Sequence, residues 1–362
     1  MITRESAPPR PRLPESHYVD NRIYTDPVIF EEERRRIFAR VWNFVCLEAE
    51  VPSPGDFRTT SVAGAPLIIV RGRDGDARAF YNVCRHRSMQ VAREEAGNCS
   101  AFRCLYHLWT YDLDGRLIGV TLPEGYEGTG FRKEDFGLVE VRCETIGGMV
   151  FVCLSRETEP LRDYLGPDMV RHIMETVGSA ELDVFHFHKQ IVKANWKLFV
   201  DNNDEPYHNF LHVFNRNNAR SSSGTAYRNG HNFGRSSTPV NYTKFRLDHR
   251  DTHLFPGAGA DGIWHMIIFP DVLLITRGTV LRIDRMMPLA PGRTCVEWRG
   301  VGLKADTPEI RALRVRHHNQ VWGPMGAQPA GRRHRRRGAV GADARGGGAP
   351  QHLRPRGFPR RP

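Results

Sequence analysis

The chain has 362 residues, of which 40% are hydrophobic and 10% are aromatic, enough for two domains that each have a core of their own. Its formal net charge is +11, but residues 327–362 alone carry +9, from 10 Arg, no Lys and one acid, so the rest of the chain is near +2. That balance is ordinary for an enzyme and argues against a nucleic-acid-binding protein, whose basic residues would cluster on a folded surface.

The hydropathy pattern argues against export and against a membrane protein. The first residues, MITRESAPPRPRLPESHYVD, contain no apolar core of the kind that a signal peptide needs. The longest apolar runs, GGMVFVCL and IIFPDVLLI, are too short to span a bilayer. The cysteines number seven, and this odd count does not suggest a disulfide framework. We therefore expect a cytoplasmic protein with reduced thiols, some of them available to bind metal.

The N-terminal half is predicted to be an arm followed by a small β domain. Residues 1–40 are rich in Pro and end in a short charged helix at about residues 27–40. From residue 41 to 155, short apolar runs are broken by Gly, Asp and Pro, which is typical of antiparallel strands. Asp-Gly pairs at residues 74–75 and 114–115 predict hairpin turns, because both positions of such a pair can adopt positive φ.

The sequence from residue 156 to 326 has mixed periodicity, which predicts an α+β second domain. Helix-like stretches occur at about residues 161–177 and 196–214. Strand-like runs follow at residues 265–275, 280–287 and 294–303. The whole chain is therefore predicted to be α+β. We expect an arm at residues 1–40, a β domain at 41–155, a second domain at 156–326 and a tail at 327–362.

The segment CRHRSMQVAREEAGNCSAFRCLYHLW holds two motifs that each combine a thiol with an imidazole, Cys84-x-His86 and Cys104-x-x-His107. In a Rieske [2Fe–2S] centre one iron is held by two cysteines and the other by two histidines. Two Cys–His loops supply those ligands, and neutral imidazoles also raise the reduction potential above that of an all-cysteine cluster. The motif predicts a Rieske cluster on these four residues.

Tetrahedral zinc is the alternative for this motif, because two Cys and two His also suit it. Zinc fingers, however, usually pair Cys with Cys and His with His, whereas each half here is Cys followed by His. The segments CRHR and CLYHLWTYDLDGRL resemble the Rieske domain of ring-hydroxylating oxygenase large subunits. Leu105 and Leu108 depart from that family, which more often has Pro and Gly at these loop positions.

A second candidate metal site lies in the stretch NWKLFVDNNDEPYHNFLHVF. If the stretch is helical, Glu205, His208 and His212 fall at i, i+3 and i+7 and share one face. Two imidazoles one turn apart can hold one metal ion, and a third carboxylate would complete the facial triad of non-haem Fe(II) oxygenases. Two such histidines alone more often decorate a surface or lie in a core. The stretch resembles the catalytic helix of the same family, which implies that His208 and His212 bind iron.

The resemblance also implies a role for Glu205. It lies where the family has an acid that links the iron to the Rieske histidine of a neighbouring subunit, and it therefore implies a ring-shaped homotrimer. Asp204 is the alternative for this bridging acid, and Asp201 and Asn202 are expected to support or cap the helix. The family commonly has four residues between the two histidines, whereas this chain has three, which shifts the helix register around the iron.

The third iron ligand is not found where the resemblance implies it. In the family an acid, usually Asp, follows shortly after a segment like QVWGPMG at residues 320–326. Here residues 327–362 follow, in which Arg, Gly, Ala and Pro make up 28 of 36 positions, a composition that predicts disorder. We hypothesise a shifted reading frame near Gly326, which the nucleotide sequence contradicts if no other frame restores an acidic, helix-like continuation. The alternatives are a genuine basic tail that binds nucleic acid or an acidic partner, and Asp343 as a substitute ligand.

The function that the resemblance implies is that of a terminal oxygenase. Electrons from NAD(P)H would pass through a reductase, often with a ferredoxin, to the Rieske cluster and on to the mononuclear iron. There O₂ would be used to hydroxylate or cis-dihydroxylate an aromatic ring. The alternative is a Rieske electron-transfer protein or an inactive structural subunit, which would keep the cluster and lack a functional mononuclear iron.

The expected substrate is an aromatic acid, with polycyclic hydrocarbons as the alternative. The sequence looks most like large subunits that act on salicylate, anthranilate or terephthalate, which commonly pair with a small β subunit. A carboxylate needs a cation in its pocket, for which a bidentate Arg is suited. Arg277, Arg282 and Arg285 are the candidates, although a solvated position on a strand is the more frequent situation for any one of them.

The resemblance covers roughly residues 20–326 and implies a particular form of α+β fold. A small antiparallel β Rieske domain would be inserted into a catalytic domain whose antiparallel sheet wraps a helix.

Overall fold

The computed structural model describes residues 19–204, 223–236, 253–258 and 263–323. These ranges form an α+β fold, which confirms the predicted fold class. Strands before residue 155 are β1 (Asn43–Leu47), β2 (Asp56–Val62), β3 (Ala65–Arg71), β4 (Ala77–Tyr81), β5 (Ala96–Asn98), β6 (Phe102–Arg103), β7 (Thr110–Tyr111), β8 (Leu117–Gly119), β9 (Glu140–Ile146) and β10 (Met149–Cys153). Strands after it are β11 (Leu182–Val192), β12 (Ser223–Ala226), β13 (Asn232–Ser236), β14 (Ile263–Ile268), β15 (Val272–Arg277), β16 (Val280–Ala290) and β17 (Arg293–Leu303). The α-helices are α1 (Arg22–Thr25), α2 (Pro27–Glu33), α3 (Leu161–Glu175), α4 (Trp196–Asp204) and α5 (Pro308–Trp322).

The helix predicted at residues 27–40 is present as α2, which continues as one wider turn over Arg34–Phe38. Asp26 caps it by accepting the Val28 N–H at 2.7 Å, and Pro27 occupies the first helical position, where no N–H is needed. The helix packs on α4, because the rings of Phe38 and Trp196 are 5.0 Å apart in an edge-on contact.

The first ten strands form one large and one small antiparallel sheet. The large sheet has the order β1-β10-β9-β4-β3-β2-β5 and the small one the order β6-β7-β8. The Asp-Gly turns do join strands, but only Gly75 (φ +91°) and Gly115 (φ +79°) have positive φ, so the expectation for the Asp positions is wrong. The reason is loop length, since five residues separate β3 from β4 and a two-residue hairpin geometry is not required.

The last seven strands form a second antiparallel sheet with the order β11-β17-β16-β15-β14-β13-β12. The predicted single run at residues 265–275 is two strands, β14 and β15, joined by a turn that contains Pro270. Proline has no N–H to donate to a neighbouring strand, so it interrupts a continuous apolar run here. The runs predicted at residues 280–287 and 294–303 are the cores of the longer strands β16 and β17.

The second sheet has two different faces. One face packs on α3 and on side chains of β1 and β10 in the main apolar core. The other face, which we call the α4 face, buries Ile267, Leu273, Met286 and Val296 against Phe199 of α4. In the part of the chain that the structure describes, no helix is long and apolar enough to cross a membrane.

Candidate functional site

The first Cys–His loop follows β4 and is closed by its own backbone. The Cys84 N–H donates to the Met89 carbonyl at 2.7 Å, and the Ser88 N–H donates to the Cys84 carbonyl at 2.9 Å. Ser88 has a φ of +58°, the left-handed conformation that lets so short a loop turn back on itself. Cys84 is thereby held at the buried base of the loop, with His86 two residues further along.

The second loop, between β6 and β7, repeats this geometry. The Cys104 N–H donates to the Trp109 carbonyl at 2.9 Å, and the Leu108 N–H donates to the Cys104 carbonyl at 2.9 Å. Leu108 also has a φ of +58°. The sequence had marked Leu108 as a departure from a glycine, and the backbone conformation explains why glycine suits this position.

The two thiols face each other in the interior between the loops. Cys84 and Cys104 are each only 2% exposed. Burial raises the pKa of Cys104, opposed by hydrogen bonds from the backbone N–H groups of Tyr106 and His107, and the neighbouring Cys84 thiol raises it further. A buried thiol pair of this kind is inert until a metal replaces its protons.

The two imidazoles form a second pair. The rings of His86 and His107 are 4.6 Å apart, and His86 stacks on Trp109 at 5.0 Å with an interplanar angle of 11°. Burial lowers the pKa of His86, and His107 and Arg87 lower it further by charge repulsion. Within the described ranges the His86 Nδ1 is buried and has no hydrogen-bond partner. A neutral imidazole with an unused inward nitrogen is suited to bind a metal.

The donor set fits a two-iron cluster better than a single ion. Across the ranges that the structure covers, no group of three or more His, Cys, Asp or Glu side chains could hold one metal ion. The four predicted residues instead form one thiol pair and one imidazole pair, which is the division of ligands between the two irons of a Rieske cluster. Tetrahedral zinc would need all four around one point.

Two residues that the sequence did not single out hold the first loop in place. The Asn82 side chain is buried, accepts the N–H groups of Val91 and Ala92 at 3.0 Å each, and donates to the Ala92 carbonyl at 2.7 Å. The Tyr111 hydroxyl accepts the Arg85 N–H at 3.0 Å. A polar residue beside a ligand motif is a weak sequence signal, because its burial becomes visible only in the fold.

The outer surface of the loops is apolar and exposed. Leu105, Tyr106 and Leu108 are 61%, 56% and 49% exposed, and all three flank His107. Exposed apolar side chains grouped around one functional residue are typical of a surface that meets a protein partner.

The second predicted metal site lies mostly outside the described residues, which resume at 223 after Asp204. Glu205, His208 and His212, and also Gly326 and Asp343, lie outside the described residues. Helix α4 does begin the predicted helical stretch. Asp204 accepts a hydrogen bond from Asn232 at 2.9 Å.

Asp201, on the same helix, accepts a hydrogen bond from the Tyr24 hydroxyl at 3.1 Å, and burial raises its pKa. Asp201 therefore ties the helix to the N-terminal arm. The Asn202 side-chain nitrogen is buried and has no hydrogen-bond partner in the described ranges.

The three candidate arginines are all buried, so the expectation that they are solvated strand residues is wrong. Arg285 is tied to the first sheet, donating to the Thr60 hydroxyl at 2.5 Å and to the Ser61 carbonyl at 3.0 Å. Arg282 is paired with Asp284, and the Arg277 Nη1 donates to the Thr276 carbonyl at 3.1 Å. Only Arg282 and Arg277 remain candidates for a pocket on the α4 face.

Two protein families match this chain. Residues 41–127 match the Rieske [2Fe-2S] domain, and residues 172–323 match the catalytic domain of ring-hydroxylating alpha subunits. Both matches cover the predicted segments that carry the two candidate sites.

Two relatives of this chain are enzymes that are named for sulfonate substrates. The chain is 39% identical over 324 residues to the alpha subunit of 2-aminobenzenesulfonate 2,3-dioxygenase from Alcaligenes sp., covering 87% of this chain and 82% of that protein. It is 38% identical over 334 residues to the hydroxylase alpha subunit of methanesulfonate monooxygenase from Methylosulfonomonas methylovora, covering 87% and 80%.

The same fold is found in a solved oxygenase. The crystal structure of naphthalene 1,2-dioxygenase from Rhodococcus sp. superposes with a TM-score of 0.79 at 25% identity, covering 91% of this chain and 83% of that one.

Proposed function

The chain belongs to the family of ring-hydroxylating oxygenase alpha subunits, and from this membership we propose that it is the terminal component that inserts oxygen from O₂ into a small organic acid. As a member of this family it is an oxidoreductase with a Rieske [2Fe–2S] cluster and a mononuclear iron.

The observation that carries the proposal is the pairing of the two Cys–His loops. We assign the thiolates of Cys84 and Cys104 to one iron of the cluster and the imidazoles of His86 and His107 to the other. The close contact of the two imidazoles and the burial of both thiols support this assignment. When bound, the cluster would store an electron and the mononuclear iron would activate O₂.

For the mononuclear iron, His208 and His212 are the proposed ligands and Glu205 is the proposed bridging acid. Support comes from the motif and from α4, which is helical over Trp196–Asp204, directly before it in the chain. No third carboxylate ligand is assigned.

The proposed substrate is a small organic anion, either an aromatic carboxylic acid or a sulfonate. The aromatic acid was the expectation from the sequence, and the sulfonate is added because the two relatives described above are named for sulfonate substrates. Carboxylates and sulfonates share an oxyanion beside the carbon skeleton, so one kind of pocket can serve both.

The proposed partners are an NAD(P)H-dependent reductase, with or without a ferredoxin, a small β subunit and two further copies of this chain in a homotrimer. The exposed apolar surface around His107 supports docking of a protein at the cluster loops. A cytoplasmic location remains a prediction.

The proposed domain division is an arm at residues 1–40, a Rieske domain at 41–155, a catalytic domain at 156–326 and a tail at 327–362. The two family matches lie within the two proposed domains. The tail lies outside the described residues, and a shifted reading frame near Gly326 remains our hypothesis for its composition.

The test is a count of iron and acid-labile sulfide per chain, with the visible spectrum, on anaerobically purified protein. We expect about two sulfides and about three irons per chain. Cys84→Ser should abolish the sulfide and the cluster spectrum, whereas Cys143→Ser, on β9 and away from the loops, should leave both unchanged.

Two other outcomes decide between the proposals. About two irons with about two sulfides would favour the alternative, an electron-transfer or inactive subunit whose mononuclear site is incomplete. Bound zinc without sulfide would overturn the cluster assignment.

A further inference from the structure

Arg282 lies on the α4 face, where an ion pair fixes its guanidinium group while some of its N–H groups make no hydrogen bond among the described residues. Its Nε and Nη2 donate to the two carboxylate oxygens of Asp284 at 2.8 Å each, and the residue as a whole is only 2% exposed. Its Nη1 makes no hydrogen bond in the described part of the chain. A bidentate pair fixes the plane of a guanidinium, so the remaining N–H groups point in a defined direction.

Aromatic rings and a histidine surround this guanidinium. The Arg282 Cζ lies 4.7 Å from the ring centre of Trp298 and 4.9 Å from that of Trp322. Gly300 is directly opposite Arg282 in the pairing of β16 with β17, and the His318 ring of α5 lies above it. A Cβ on Gly300 would lie 2.9 Å from the His318 Cε1, so the glycine makes room for this ring.

Two nitrogens beside Arg282 are buried without a hydrogen-bond partner among the described residues. Across the described residues neither the Trp298 Nε1 nor the His318 Nδ1 has a hydrogen-bond partner. An indole N–H can only donate. His318 is 3% exposed and burial lowers its pKa to about 3, so it is a neutral imidazole that can offer one N–H.

Buried hydrogen-bond donors without acceptors are rare in folded proteins, so a cluster of them indicates that a ligand with acceptor atoms binds there. We propose that Arg282, Trp298 and His318 form the binding site for the oxyanion of the substrate, a sulfonate or a carboxylate. This proposal rests on the proposed function, because it supplies the pocket for the anionic end of the molecule that is oxygenated.

An oxyanion fits this site for two reasons. Its oxygens are acceptors only, so they can satisfy donors from three different elements, β16, β17 and α5. Asp284 offsets the charge of Arg282, so recognition depends on the directed N–H groups, and a neutral amide would place its own N–H hydrogens against them.

The location also agrees with an oxygenase site. Trp298 contacts Phe199 of α4 with ring centres 5.7 Å apart, and α4 leads into the segment with the proposed iron ligands. Trp322 is the last residue of α5, just before the segment in which the family resemblance implies a third iron ligand.

The experiment is a comparison of matched anionic and neutral probes by calorimetry on the full, cluster-loaded chain. The probes are benzenesulfonate with benzenesulfonamide, and benzoate with benzamide. The wild type should bind each anion at least about tenfold more tightly than its neutral partner. Trp298→Phe and His318→Phe, which keep an aromatic ring, and Arg282→Lys, which keeps the charge, should each remove most of that preference.

Arg162→Lys, on the exposed side of α3, is the matched control and should keep the full preference. The cluster spectrum and the thermal melting curve show whether each variant is folded. Unchanged anion preference in folded Trp298→Phe and His318→Phe would overturn the site, and so would equal binding of both probe types by the wild type, since ordered water would then satisfy these donors.

The inference and the proposed function can fail separately. Oxygenation is measured on its own, as O₂-dependent product formed with a reductase. If the wild type forms product but the variants bind anions as the wild type does, the anion site is rejected and the oxygenase function is kept. If the variants lose anion binding but the wild type forms no product, the oxygenase function is rejected and the anion site is kept.

Discussion

The Tyr111 hydroxyl lies 3.3 Å from the Sγ of Cys84, inside a fully buried side-chain environment. The same oxygen accepts the Arg85 N–H. A cluster-bound thiolate has no proton to donate, so the Tyr111 hydroxyl would then be the donor to the sulfur. A hydrogen bond to a cluster thiolate stabilises the more negative, reduced state, because that state holds more charge on its sulfurs.

Tyr111→Phe should therefore lower the reduction potential of the cluster. The expected fall is several tens of millivolts, since about 59 mV corresponds to a tenfold change for one electron. A redox titration followed by the visible spectrum measures it. Tyr126→Phe, which alters a ring in the same apolar cluster, is the control and should leave the potential unchanged.

Leu108→Gly should stabilise the second loop. A left-handed conformation costs a residue with a Cβ about 1–2 kcal/mol, whereas glycine adopts it freely at an entropic cost of about 0.5–1 kcal/mol. The net gain of up to about 1 kcal/mol should raise the melting temperature by a few degrees with the cluster spectrum unchanged. Leu105→Gly, which lacks a positive φ, should not raise it, and a lower melting temperature for Leu108→Gly would contradict this explanation.

The ligand motif could be predicted from the sequence because cluster chemistry fixes residue types and spacing. Cys84, His86, Cys104 and His107 come together in the structure as two pairs, as the motif requires. Asn82 could not be predicted, because its role depends on contacts with a segment nine and ten residues away that only the folded loop brings into reach.

The alternation of apolar runs and turns in the sequence was enough to predict the fold class. It was not enough to predict where each strand ends or which face of the sheet a side chain lies on. An apolar run that contains Pro270 looks like one strand until its partners are known. Arg282 and Arg285 are three residues apart on β16 and point to opposite faces of the sheet, and only the folded structure shows which of these faces α4 covers.

Arg299→Met should destabilise the protein by about 3–5 kcal/mol. Arg299 is buried on β17 and pairs with Glu50 at 2.7 Å and with Glu297 at 3.0 Å, so its loss takes the nearest cation from two buried carboxylates. Glu50 keeps Arg58 at 3.1 Å, and Glu297 keeps more distant cations from 3.7 Å. Glu50 follows β1, so the pair also ties the two sheets together. Urea unfolding measures the change.

Lys304→Met is the matched control. Lys304 and Glu181 form an exposed pair at 2.8 Å, in which water screens the two charges, so its loss should leave the unfolding midpoint nearly unchanged. Equal effects of the two substitutions on the unfolding midpoint would show that the buried network contributes no more than a surface pair.

The buried His231 should make stability depend on pH between about 4 and 6.5. Its Nε2–H donates to the Tyr164 carbonyl at 3.2 Å and its Nδ1 accepts the Phe269 N–H at 3.1 Å, so the native site holds the neutral ring. Burial lowers the pKa of His231 to about 4. Between about pH 6.5 and pH 4, His231 binds a proton in the unfolded chain but not in the folded chain. The free energy of unfolding therefore falls as the pH falls, and it levels off below about pH 4.

The full effect of this one group is about 3 kcal/mol, and it should be visible as a smaller pH dependence in His231→Asn than in the wild type. Melting temperatures at pH 7.5 and pH 5.0 give the comparison. His253→Asn, at an exposed position with φ of +64° that Asn tolerates, should keep the wild-type pH dependence. If His231→Asn also kept it, the acid sensitivity would have to come from the other buried histidines, because a neutral amide cannot take up the proton.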